Sequence, residues 1–78
     1  MFYQKGDLVH IPSDVVVYQN TFNNIRNLAP KSKTSFPTIA VYLKQINFHF
    51  SLVTTVSGAK QIVRTNNLSF FKEVHNAG

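Results

Sequence analysis

Short apolar runs broken by turn residues set the grain of this chain. Asp7-Leu8-Val9-His10-Ile11 runs into Pro12, and after Ser13-Asp14 comes Val15-Val16-Val17-Tyr18. β-Branched side chains hold both pieces extended, and Pro12, which has no N–H to give a ladder, ends the first at an edge or a kink. Ile39-Ala40-Val41-Tyr42-Leu43 is apolar on both faces, as in a central strand covered by the core on one side and by something else on the other. From Phe48 to Val56 the pattern alternates, with Phe48, Phe50, Leu52, Thr54 and Val56 on one face and His49, Ser51, Val53 and Thr55 on the other, as in a half-buried strand. The link Gln45-Ile46-Asn47 is short enough for an antiparallel hairpin between these two strands. Gly58, in Ser57-Gly58-Ala59, supplies the positive φ of a tight turn into a further strand, residues 60–65. Asn66-Asn67-Leu68 predicts a single helical turn capped by asparagine, then a last strand over 70–74 and a flexible terminus at 75–78.

Residues 19–36 lack this order. They hold Asn20, Asn23, Asn24 and Asn27 and then Pro30-Lys31-Ser32-Lys33-Thr34-Ser35, which predicts a long loop, with Phe22, Ile25 and Leu28 spaced to pin it to the core. Loops of this length in small domains are commonly functional, so this one is the expected contact surface. Five or six short antiparallel strands with one helical turn before the last form a meander, and closing it into a small barrel removes exposed edges. The expected core is Val9, Ile11, Val17, Ile39, Val41, Leu43, Phe50, Leu52, Val56, Ile62, Leu68, Phe71 and Val74, with Phe22, Phe36 and Tyr42 partly exposed.

Composition fits one all-β domain over residues 1–78. A chain this short buries only about 60–65% of its unfolded surface. At 44% apolar and 14% charged it still has enough for a core and too little charge for a disordered chain. It has no cysteine, so neither disulfides nor thiolate-bound zinc can reinforce that core. No window approaches the roughly 18 apolar residues of a membrane helix, and the first residues carry no apolar leader, so a cytoplasmic protein without membrane contact is expected.

Charge is uneven along the chain. From Val15 through Lys72 lie Arg26, Lys31, Lys33, Lys44, Lys60, Arg64 and Lys72 and no carboxylate, while Asp7, Asp14 and Glu73 stand near the ends. A surface of one sign attracts polyanions or acidic protein faces. Phe22, Arg26, Lys31, Lys33, Phe36, Tyr42 and Lys44 are the candidate binding residues, cations for charge and rings for stacking. Acid–base chemistry has little to work with: Asp7, His10 and Ser13 alternate faces on a strand, and His10, His49 and His75 have no ligand spacing for a metal. Gly6, Gly58 and Gly78 are isolated and make no phosphate cradle.

Lys5-Gly6-Asp7-Leu8-Val9 at the start, with Val63-Arg64-Thr65-Asn66-Asn67-Leu68 and Phe71-Lys72-Glu73-Val74 at the end, resembles SH3-like barrels, in which a short helical turn precedes the last strand. More narrowly, the chain looks like the short SH3-like proteins encoded by tailed phages of marine cyanobacteria, which implies a phage-encoded protein in host cytoplasm. It is also similar in size and fold to the plasmid-borne type II dihydrofolate reductases. Their pore motif, valine-glutamine-isoleucine-tyrosine, corresponds here to Lys60-Gln61-Ile62-Val63, and only the middle two positions agree.

The expectation is a non-enzymatic binding or adaptor module without a cofactor, acting on a protein partner or by self-association. The alternative is weak, sequence-independent nucleic-acid binding through the basic stretch 26–64, and a reductase-like oligomer is the remote third.

Overall fold

A computed structural model describes residues 3–20 and 28–71 of the chain. Seven strands occur in it: β1 Leu8–Ile11, β2 Val16–Asn20, β3 Leu28–Lys33, β4 Thr38–Gln45, β5 Phe50–Thr55, β6 Lys60–Arg64 and β7 Ser69–Phe70. A 3₁₀ turn, Thr65–Asn67, precedes β7. They form one open antiparallel sheet in the order β3-β2-β6-β5-β4-β1-β7. The expected closed barrel is therefore found as an open sheet, with β3 and β7 at its free edges.

Local chemistry sets most of the boundaries. At the Gly6-Asp7 turn, Gly6 sits at φ +97° and the Asp7 carboxylate accepts the Gln4 N–H at 2.8 Å, as a turn aspartate should. The β5–β6 hairpin closes through Gly58 at φ +90°, with the Gly58 N–H donated to the Thr55 carbonyl. β1 stops before Pro12, and the helical turn lies where the asparagines place it, although no side chain caps it and Arg64 stands at its N-cap.

Two expectations about elements are corrected. Residues 28–33, read as part of the loop 19–36, form β3, paired with β2 from Val16↔Lys33 to Asn20↔Leu28. An alternation of two is hidden there by Pro30 and by polar residues on both faces, because an edge strand buries little. The last strand is the two residues Ser69–Phe70, so Phe71 follows it at 36% exposure, outside the core; Val74 lies outside the described residues.

The larger correction concerns which face is inside. The buried apolar residues are Val9, Ile11, Val15, Val17, Ala40, Tyr42, Val53, Val63 and Leu68. Val9, Ile11, Val17 and Leu68 are as expected, but β4, β5 and β6 are turned over. Ala40 and Tyr42, Ser51 and Val53, and Val63 face inward, while Ile39, Val41, Phe50, Leu52 and Ile62 face out and Val56 is 90% exposed in the turn. Leu43 is only half-buried, at a bulge between Tyr42 and Lys44.

Curvature explains the inversion. Val15 and Val17 by β2 share a core with Val9 and Ile11 of β1, although β6, β5 and β4 lie between them in the sheet, so the sheet curls round one apolar interior. Small side chains, Ala40, Ser51, Val53 and Val63, line the concave side of β4, β5 and β6, while the larger Tyr42 enters it beside the β4 bulge, where its hydroxyl reaches Gln45.

Candidate functional site

Two surfaces stand out, and neither is the loop on which the sequence reading centred. The first is the convex face of the sheet. Register places Leu8 beside Val41 and His10 beside Ile39; Val41 is followed across β5 by Thr54, and Leu52 lies between Lys44 and Ile62. Tyr18 pairs with Ile62, and its ring meets Phe50 edge-on at 4.9 Å. The result is an apolar field of Leu8, Tyr18, Ile39, Val41, Phe50, Leu52 and Ile62, in which Leu8 and Ile39 are exposed, Leu8 at 48%, and the others half-buried.

Cations border this field. Lys44, Lys60 and Arg64 occupy outward register positions, and the Arg64 guanidinium lies 5.6 Å from the centroid of the Phe50 ring. The carboxylates among the described residues, Asp7 and Asp14, are confined to turns. No element forms a second layer over the face among the described residues.

The second surface is a corner where the β4–β5 hairpin meets the 3₁₀ turn. A shallow groove of about 460 Å³ is lined there by Tyr3, Phe48, His49, Arg64, Thr65, Asn66 and Leu68. Phe48 is 91% exposed, and its ring stands edge-on to His49 at 5.1 Å. A hydrogen-bonded network beneath it fixes both walls. The Tyr42 hydroxyl donates to Gln45 Oε1 at 2.8 Å, and Ser51 Oγ donates to the same oxygen at 3.0 Å. Gln45 Nε2 donates to the Asn47 carbonyl and to Thr65 Oγ1, and Ser51 and Thr65 share a hydroxyl–hydroxyl bond of 2.6 Å. Asn47 Oδ1 accepts the N–H groups of His49 and Phe50, and the Thr65 N–H donates to the His49 carbonyl. Across the groove the Tyr3 hydroxyl donates to the Leu68 carbonyl at 2.9 Å; burial first, and Tyr42 second, raise its pKa above the ordinary tyrosine value.

The residues singled out from sequence are dispersed. Phe22 and Arg26 lie outside the described residues. Lys31 and Lys33 are exposed on β3, and Phe36, 68% exposed as expected, borders a second shallow groove with Lys33, Val56 and Gln61. Lys44 sits toward the opposite end of β4. Tyr42, expected to be partly exposed, is 3% exposed and serves the hydrogen-bond network under the groove, because the inversion of β4 turns it inward. Phe48, His49 and Asn66 are not among the residues singled out from sequence, and Arg64 enters there only as the end of the basic stretch 26–64, although an asparagine-led turn carrying two rings is visible in Asn47-Phe48-His49.

Among the described residues no group of histidine and carboxylate side chains is gathered for a metal, and no helix is long and apolar enough to cross a membrane. Comparison with family models, curated proteins and solved structures finds no match.

Proposed function

We propose that the protein is a small binding module whose convex sheet face receives an amphipathic helix of a partner protein, its apolar stripe flanked by carboxylates. The observation that carries this reading is the apolar second face of the sheet, bordered by Lys44, Lys60 and Arg64 and, among the described residues, without a carboxylate. A sheet apolar on both sides is stable against water only when each side has a covering layer, and the commonest cover for a sheet is a helix. An exposed field of this kind marks an interaction site rather than a solvated surface. The cationic border selects acidic flanks on the partner and disfavours a second copy, which would bring the same cations together. In this reading the curled sheet is an SH3-like barrel left open, and the concave core is scaffold rather than site.

The reading is tested with a synthetic helical peptide of leucines at helical spacing with glutamate flanks, against the same peptide with lysine flanks, by fluorescence anisotropy. The glutamate peptide should bind, and the Leu52→Thr/Ile62→Thr double variant, which keeps strand-forming residues, should weaken it at least tenfold. Equal binding of both peptides, or undiminished binding by the double variant, overturns the reading. So does a dimer in sedimentation that the double variant abolishes, since the occupant is then a second copy.

A further inference from the structure

We infer that the corner between the β4–β5 hairpin and the 3₁₀ turn is a binding site for one unit of a single-stranded nucleic acid, with a base stacked on Phe48 and a phosphate on Arg64. It differs from the convex face in location and ligand, and shares only Arg64 with it.

Three observations converge on it. The first is a phenyl ring in water on a rigid support. Phe48 is 91% exposed, yet the turn that carries it is fixed on both sides, by Asn47 Oδ1 accepting two backbone N–H groups and by the Ile46 and Asn47 N–H groups donating to the Phe50 carbonyl. A ring held out this way loses little conformational entropy on stacking.

The second is the network beneath the groove. Ser51 is fully buried at a position where a small apolar residue would pack without needing partners, and its hydroxyl ties the hairpin to Thr65. Side-chain hydrogen bonds add little net stability, but they fix geometry, and the geometry fixed here is the distance between the Phe48-His49 wall and the Arg64-to-Asn66 wall.

The third is the chemistry of the lining. Tyr3, Phe48, His49, Arg64 and Asn66 all carry planar groups, and Arg64 brings a permanent positive charge to a groove that no carboxylate lines among the described residues. An acidic peptide is met by several cations and asks for no stacking surface; one cation among planar groups suits one phosphate with its base. At about 460 Å³ the groove is of the size that small ligands occupy. Stacking reads the π-face that every base shares, so the site accepts sequence broadly.

The test is binding of a fluorescein-labelled oligothymidylate of about ten nucleotides, within the span that small single-strand-binding folds cover, by anisotropy at low and at physiological salt. Wild-type protein should bind at low salt and weaken as salt rises. Phe48→Ala, on an exposed side chain that the core does not use, should weaken binding about tenfold, the order of one lost base stack. Arg64→Gln should flatten the salt dependence by about one phosphate contact, a slope change near 0.7. The Leu52→Thr/Ile62→Thr variant should bind the oligonucleotide as the wild type does, so failure of the face and failure of the corner are read separately. Absence of binding at low salt, unchanged affinity in Phe48→Ala, equal displacement by polyglutamate, or loss on altering the sheet face alone overturns the site.

Discussion

Ser51 and Tyr3 show how single polar atoms hold a core this small. Ser51 joins two strands and the 3₁₀ turn through one hydroxyl, and Tyr3 fastens the segment before β1 to Leu68 while its ring packs on Tyr42 at 5.3 Å and Phe70 at 4.6 Å. Because burial and Tyr42 raise the Tyr3 pKa, the folded protein holds that proton more tightly than the unfolded chain does. Its contribution is whole below the unfolded value of about 10 and is lost as pH rises through the higher folded value. Denaturation midpoints should fall above pH 10, and Tyr3→Phe, somewhat less stable at neutral pH for want of one hydrogen bond, should fall less steeply there. Parallel slopes for the two proteins would refute this role. The turn bond between Asp7 and Gln4 joins residues three positions apart, within reach of local pattern; the bond from Tyr3 to Leu68 spans 65 positions and is beyond it.

Strands are where reading from pattern succeeded and then reversed. Alternation in β5 is plain in Phe50-Ser51-Leu52-Val53, and the hairpins at 46–49 and around Gly58 follow from short links and turn chemistry. Alternation says that two faces differ without saying which is concave. Assigning the bulkier set to the interior follows the usual rule, and here curvature overrides it. A pair of neighbouring substitutions measures the outcome. Val53→Thr places a hydroxyl in a fully buried site and should cost about 2 kcal/mol or more, whereas Leu52→Thr, one residue away on the convex face, should cost under about 1 kcal/mol. Urea denaturation of the two variants decides it, and a reversed order would restore the inward assignment of Phe50 and Leu52.

At the scale of the molecule, an open sheet has two edges to protect. β7 is only two residues long, and β3 carries Pro30, which offers no N–H, between Ala29 and the exposed Lys31 and Lys33. Short edges, proline and lysine are the usual guards against edge-to-edge pairing. A Pro30→Val/Lys31→Val/Lys33→Val variant should therefore form oligomers in light scattering at concentrations where the natural sequence does not, and an unchanged scattering profile would show that the edge needs no such guard. Lys31 and Lys33 were read from sequence as ligand contacts, and their place on a free edge gives them this second task.

Composition and local pattern by themselves determined an all-β chain, most strand positions, the glycine turns and the helical turn before the last strand, because these depend on neighbours a few residues apart. Tertiary structure alone decided which side of the sheet is interior, that residues 28–33 join it, and that Phe48, His49, Arg64 and Asn66 share one corner. Those outcomes depend on how tightly seven strands curl and on which distant residues the curl brings together, quantities that no short stretch of sequence contains.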